Sequence, residues 1–124
     1  MEHRHSIFKS FGFALNGLKG IILQERNFKI QLFFGLIAVI LGFLLKLNVA
    51  EWLDLVIVIT LVLILELVNT SIEEMVDLVS PEIREKAKVA KDVAAATVLV
   101  ASTGSLVIGA LLFVPKILNL LKNL

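Results

Sequence analysis

The sequence predicts an all-α integral membrane protein: an N-terminal amphipathic surface helix followed by three membrane-spanning helices. Three observations predict it. Hydrophobic residues are 58% of the 124-residue chain and the mean hydropathy is +0.94, well above the roughly 45–50% apolar share of soluble domains. The apolar residues are gathered into three long runs, and Lys and Arg are concentrated before the first run and between the second and third. We read 1–124 as a single membrane domain. Cys is absent, which excludes a disulfide scaffold, a thiolate metal site and a cysteine nucleophile. A formal net charge of +1 with no basic stripe excludes nucleic acid as a partner.

The surface helix is expected over 6–24. Ile7, Phe8, Phe11, Leu15, Leu18 and Ile22 recur at helical spacing, with Lys9, Asn16 and Lys19 opposite, the pattern of a helix lying in a membrane interface. Gly12, Gly17 and Gly20 weaken it by ~1 kcal/mol each relative to Ala. His3 and His5 are too few ligands for a metal site and belong to a terminal tail. The first span, 28–47, has no charge between Ile30 and Leu45. Asn48 and Glu51 have the spacing of a capping box, which predicts a tight turn into the second span, 52–78.

Ser80 and Pro81 read as the N-cap and first position of the next helix, with Glu82 suited to its dipole. A polar segment, 80–92, then leads into the third span, 92–115, which is uncharged from Val93 to its end at Pro115. Within it Thr97, Ala101, Ser105 and Gly109 recur every fourth residue, a row small enough for close helix packing. None of the apolar runs has the form of a cleaved signal peptide. Arg4, Lys9, Lys19, Arg26 and Lys29 precede span one, and Arg84, Lys86, Lys88 and Lys91 lie between spans two and three. Only Lys46, Lys116 and Lys122 fall on the other side. The positive-inside rule therefore puts the N-terminus in the cytoplasm and the C-terminus outside.

The unusual segment is ELVNTSIEEMVDL, 66–78. Its Glu66, Asn69, Glu73 and Asp77 fall within an arc of about 80° on a helix, one polar stripe on a span otherwise made for lipid. A charge at mid-bilayer costs at least ~2.5–3.5 kcal/mol, so Glu66 is retained for a reason. Glu66 and Glu73 are ~10 Å apart along the axis, too far to share one ion. Glu73 and Asp77, one turn apart and nearer water, suit a hard cation. Glu66 is deeper, where a desolvated carboxylate is a stronger proton acceptor and serves as a general base. Asn69, between them, can donate and accept at a reacting centre. The basic complement is AKVAKDVAA, with Lys88, Lys91 and Asp92. An ammonium beside carboxylates and Mg2+ is what phosphoryl transfer uses, and Lys91 is the candidate. No GxxxxGK[ST] or GxGxxG is present, so any nucleotide is held without a P-loop.

ELVNTSIEEMVDL followed by AKVAKDVAAATVL, with GLKGIILQERNFKIQ upstream, resembles the small bacterial diacylglycerol kinase family over nearly the whole chain. Within it the undecaprenol kinase branch of Gram-positive bacteria is most similar. The resemblance implies a homotrimer in the bacterial inner or plasma membrane that phosphorylates a lipid alcohol from MgATP at the cytoplasmic interface. Undecaprenol is the expected acceptor and diacylglycerol the alternative. By matching position, Glu66, Asn69, Lys91 and Asp92 resemble catalytic residues. Glu25, Glu73, Asp77 and Lys91 resemble nucleotide-binding ones, with Glu25 and Glu73 as metal-binding acids. Glu25 comes from the resemblance alone, because in QERN it reads as an ordinary polar turn. The chain departs from the branch at Ala95, Ala96 and Thr97, where members often read AGA, and at Gln31, where many have His. A different class, a small proton-coupled transporter with Glu66 as relay, would use the intramembrane acid but not the AKxAKD block.

Overall fold

The computed structural model describes residues 6–82 and 84–124, so His3, Arg4 and His5 lie outside the described residues. Among the described residues there are four helices and no strand: α1 (Ile7–Gln24), α2 (Arg26–Leu44), α3 (Val49–Val79) and α4 (Glu85–Lys122). The last three are long and apolar enough to cross a membrane. The all-α membrane class expected from the sequence is the one observed.

Ser6 caps α1 by accepting from the Lys9 amide. The helix buries no residue, and Phe8, Phe11 and Leu15 stand out from its surface. It ends at Glu25, whose extended backbone (φ −93°, ψ 111°) is at once the C-cap of α1 and the N-cap of α2. A single non-helical residue therefore separates the surface helix from the first span.

α2 closes in a Schellman arrangement, in which Lys46 N–H donates to Phe43 O and Leu47 N–H to Gly42 O. Lys46 occupies the left-handed position (φ 54°) where glycine is usual. The capping box then forms as expected: Glu51 N–H donates to Asn48 Oδ1 at 2.9 Å and Asn48 N–H to Glu51 Oε1 at 3.2 Å. Among the glycines, Gly42 of this turn is the most closely packed. A Cβ on buried Gly42 would lie 2.7 Å from the Trp52 ring and 3.1 Å from Leu47, while Phe43 and Trp52 pack with centroids 4.7 Å apart. Next to it is the apolar core of Leu47, Leu55 and Phe113, with Leu41, Trp52 and Leu112 around it.

α3 and α4 run antiparallel and make the most extensive helix contact. On α3 the buried residues are Leu55, Val62, Glu66, Asn69 and Thr70, one stripe at helical spacing. Glu51 Oε2 meets Lys116 Nζ at 3.1 Å near one end of the seam, and Asp77 meets Lys91 at the other. Large apolar side chains such as Phe33, Ile57, Leu61, Leu106 and Leu111 face outward, as lipid contact allows.

Two expectations about α4 are corrected. Ser80 and Pro81 do not open it. Ser80 is the C-cap of α3, its hydroxyl donates to Glu82 O, and α4 begins at Glu85 behind an Arg84 N-cap that makes no side-chain bond. The restriction that proline places on its predecessor holds Ser80 out of the helical region (φ −133°, ψ 75°) and stops α3 there. Nor does the helix end at Pro115; it continues to Lys122. The proline removes one N–H from the ladder, but the apolar residues on both sides still gain by staying helical in lipid.

The close approach at Gly42 sets a test. Gly42→Ala is expected to destabilise the protein by about 1–3 kcal/mol through overpacking against Trp52. Lys46→Gly is expected to stabilise it by roughly 1 kcal/mol by removing the left-handed penalty. Thermal unfolding in detergent reads both, and a Gly42→Ala transition unmoved from wild type contradicts the packing.

Candidate active site

The polar stripe foreseen on α3 is graded in depth. Glu66 is 3% exposed, Asn69 and Thr70 are buried, Glu73 is half-buried and Asp77 is exposed. The gradient follows from geometry, because the stripe faces the helix seam at Glu66 and emerges towards the α3–α4 loop at Asp77. A buried carboxylate needs donors, and Glu66 has one from α2: Gln31 Nε2 donates to Glu66 Oε2 at 3.1 Å. One turn on, Asn69 Nδ2 donates to Glu73 Oε1 at 3.4 Å. Asn69 Oδ1, Thr70 Oγ1 and Gln31 Oε1 are buried with no hydrogen-bond partner among the described residues. Three orphaned polar atoms around one carboxylate mark a place built to receive another polar group.

At the loop end, Lys91 of α4 forms an ion pair with Asp77 of α3. A pocket of about 190 Å³ opens beside them, lined by Asp77, Ser80, Arg84, Lys88 and Lys91 among others. Glu82 lines it too, so three cations and two carboxylates surround the space, and each cation is ion-paired: Arg84 with Glu82, Lys88 with Asp92 and Lys91 with Asp77. Asp92 is not brought to this pair. It lies about 100° further round α4 than Lys91 and is bonded to Lys88 at 2.7 Å on the exposed surface. Glu25, half-buried at the α1–α2 junction, is engaged by no other side chain among the described residues. No group of three or more His, Cys, Asp or Glu gathers as a cation cage among the described residues.

Between α2, α3 and α4 lies a second space, an apolar groove of about 660 Å³. It reaches from Ile30 and Gln31 past Phe34, Val62 and Leu106 to Phe113. Ser105 and Gly109 of the small-residue row line it, and the Ser105 hydroxyl donates within its own helix to Ser102 O.

Sequence reasoning did not select Gln31 or Thr70 as site residues. A signal for Gln31 exists, since it is the sole polar side chain between Lys29 and Lys46. Thr70 gives none, because a threonine in a span ordinarily bonds its own helix.

A buried carboxylate in a span, an apolar groove beside it and a charged mouth at the loop end suit a membrane-embedded transferase acting on a lipid. Comparison with known proteins narrows this class. The family model for prokaryotic diacylglycerol kinase matches residues 12–113. An undecaprenol kinase of Bacillus subtilis (strain 168) is 39% identical over 94% of this chain and 97% of its own. A diacylglycerol kinase of Synechocystis sp. is 37% identical over 94% of this chain and 67% of its own, and that of Escherichia coli (strain K12) 32% over 77% and 78%. The chain belongs to the prokaryotic diacylglycerol kinase family and is a multi-pass membrane lipid kinase. The transporter reading falls away with that assignment.

Proposed function

We propose that the chain transfers the γ-phosphoryl group of ATP to undecaprenol at the cytoplasmic face of the bacterial plasma membrane, giving undecaprenyl phosphate and ADP. The observation that carries this is the end-to-end likeness to an undecaprenol kinase, 94% of this chain on 97% of that relative. Diacylglycerol is the second reading, favoured by 37% identity to a diacylglycerol kinase.

In this reading Glu66 takes the proton of the lipid hydroxyl as its oxygen attacks phosphorus. Its position supports the role, because it is the buried carboxylate bonded to Gln31 at the end of the apolar groove, where a lipid hydroxyl can reach it. Asn69 couples Glu66's level to Glu73 and offers Oδ1 to the reacting groups. Lys91, held by Asp77, offsets charge on the phosphates, and its place on the wall of the loop-end pocket beside Arg84 and Lys88 supports that role. Mg2+ ordinarily takes one or two carboxylates and leaves its remaining positions to phosphate and water. Glu73, bonded to Asn69, supplies an oxygen donor of that kind, and Glu25 is the second acid that the family resemblance adds. Glu25 and Glu73 are the residues that would hold the ion, whose charge, when bound, neutralises the phosphoryl oxygens.

The lysine and arginine placement supports a cytoplasmic N-terminus and an outer C-terminus. We also propose a homotrimer. Asp92 bonds Lys88 and not its own chain's Lys91–Asp77 pair, which supports a site that draws Glu66 and Asp92 from different protomers.

Purified protein offered radiolabelled ATP with each lipid tests the reading. Undecaprenol is expected to be phosphorylated faster than diacylglycerol, and the reverse order moves the assignment to the second lipid. Glu66→Gln is expected to assemble and bind nucleotide yet lose about 10²–10⁴ in turnover; activity within a few-fold of wild type removes Glu66 from the role. Glu73→Gln and Glu25→Gln are expected to need more Mg2+ and to be partly rescued by it, and a Mg2+ titration matching wild type contradicts them as ligands. Finally, mixing inactive Glu66→Gln with inactive Asp92→Asn subunits is expected to recover activity. Failure with confirmed subunit exchange means that one chain supplies both groups.

A further inference from the structure

Gln31 has no part in the roles above, yet it is the side chain that touches the buried base. Its Nε2 donates to Glu66 Oε2, while its Oε1 is enclosed and, among the described residues, receives no donor. A buried amide carbonyl left without a donor is costly, and such groups in folded proteins are nearly always paired. The same side chain lines one end of the apolar groove that runs between α2, α3 and α4 to Phe113. It is therefore the meeting point of an apolar channel, a base and a vacant acceptor. No other polar side chain of α2 between Lys29 and Lys46 shares that position.

We propose that Gln31 is a positioning residue that seats the lipid alcohol: Nε2 orients the Glu66 carboxylate, and Oε1 accepts a hydrogen bond from the hydroxyl of a single-chain alcohol whose tail lies in the groove. The inference rests on the lipid kinase reading and deepens it. The missing donor is one O–H, which is what a polyprenol carries at the end of an otherwise apolar chain. A diacylglycerol brings two ester carbonyls as well, acceptors that Oε1 cannot serve. The groove offers them little else, since its other walls are apolar apart from Ser102 and Ser105, and Ser105 already donates within α4. In the transfer the hydroxyl oxygen bonds to the γ-phosphorus and the bond from that phosphorus to the bridging oxygen of ADP breaks. The hydroxyl proton, bonded to Gln31 Oε1 as the alcohol docks, turns to Glu66 and is taken by it as the new O–P bond forms, and Gln31 gains and loses nothing.

The test compares wild type, Gln31→Leu and Gln31→His in nanodiscs with MgATP and either a polyprenol or a diacylglycerol. Gln31→Leu is expected to lower kcat for the polyprenol by about 10- to 100-fold, the effect of losing a hydrogen bond to a charged group. Its KM for MgATP stays within about two-fold of wild type, which separates positioning from general damage. Gln31→His keeps an N–H donor and is expected to recover most of the loss. The isotope-edited infrared band of the Glu66 carboxylate, taken as the difference from each protein's Glu66→Gln counterpart, shifts in Gln31→Leu and returns in Gln31→His. That band does not depend on lipid turnover. A wild-type protein that phosphorylates neither lipid but shows the band shift overturns the kinase reading and supports the Gln31–Glu66 pairing. The proposal is overturned by an unshifted band, by Gln31→Leu turnover within about three-fold of wild type, or by Gln31→His as impaired as Gln31→Leu. It is overturned equally if MgATP binding falls in step with turnover.

Discussion

The axial register of α3 against α4 is the constraint on which the rest of the molecule depends. Residue 51 meets 116, residue 55 packs with 113 and residue 77 meets 91. Each step forward along α3 is thus matched by one step back along α4 over nearly the whole seam. The two ion pairs stand about 39 Å apart along α3, close to the ~40–45 Å thickness of a bilayer with its headgroup regions. Both pairs can therefore sit where water reaches, and the stretch between them is left to apolar packing. Glu66 lies in that stretch, about 16 Å from Asp77 and about 22 Å from Glu51 along the axis. A one-residue slip would turn its side chain by about 100° and carry it from the seam towards lipid.

Within this frame the two ends of the seam are built for different purposes. The Gly42–Trp52 turn and the Leu47, Leu55 and Phe113 core are close-packed, and every polar group of the turn that the capping box can reach is bonded. Around Glu66 the opposite holds, with three buried polar atoms that lack partners among the described residues. The rigid end fixes the helices, so that the unsatisfied end can keep polar atoms poised without collapsing on itself. Unfilled hydrogen-bonding capacity lowers stability where it sits, and a site that must bind a hydroxyl and phosphates has reason to retain it.

Much of this was legible in the chain. The three spans follow from apolar runs interrupted by charge, and the Asn48–Glu51 box from a local pairing that needs no tertiary help. The polar stripe of 66–78 follows because a carboxylate in a span is too costly to be accidental. What the sequence hid depends on long-range contact or on competition between caps. Glu25 looks like a turn residue because its interest lies in the helices it joins. Gln31 shows its meaning only when α2 is laid against α3, 35 residues away in the chain. Ser80 can cap the end of one helix or the start of the next, and proline after it decided for the former. Asp92 looks like a neighbour of Lys91 in the sequence but points elsewhere on the helix.

The one-residue junction at Glu25 makes the N-terminal part of this protein intolerant of changes in length. α1 and α2 share that residue as their common cap, so no loop absorbs an added or deleted position. A single insertion within α1 would turn the residues before it about 100° relative to those after it, carrying Lys9 towards hydrocarbon and Phe8 towards water. Substitutions along α1 that keep its two faces leave the junction intact, whereas indels do not. Relatives that fold the same way are accordingly free to diverge in sequence here, but constrained to conserve the count of residues between the surface helix and the first span.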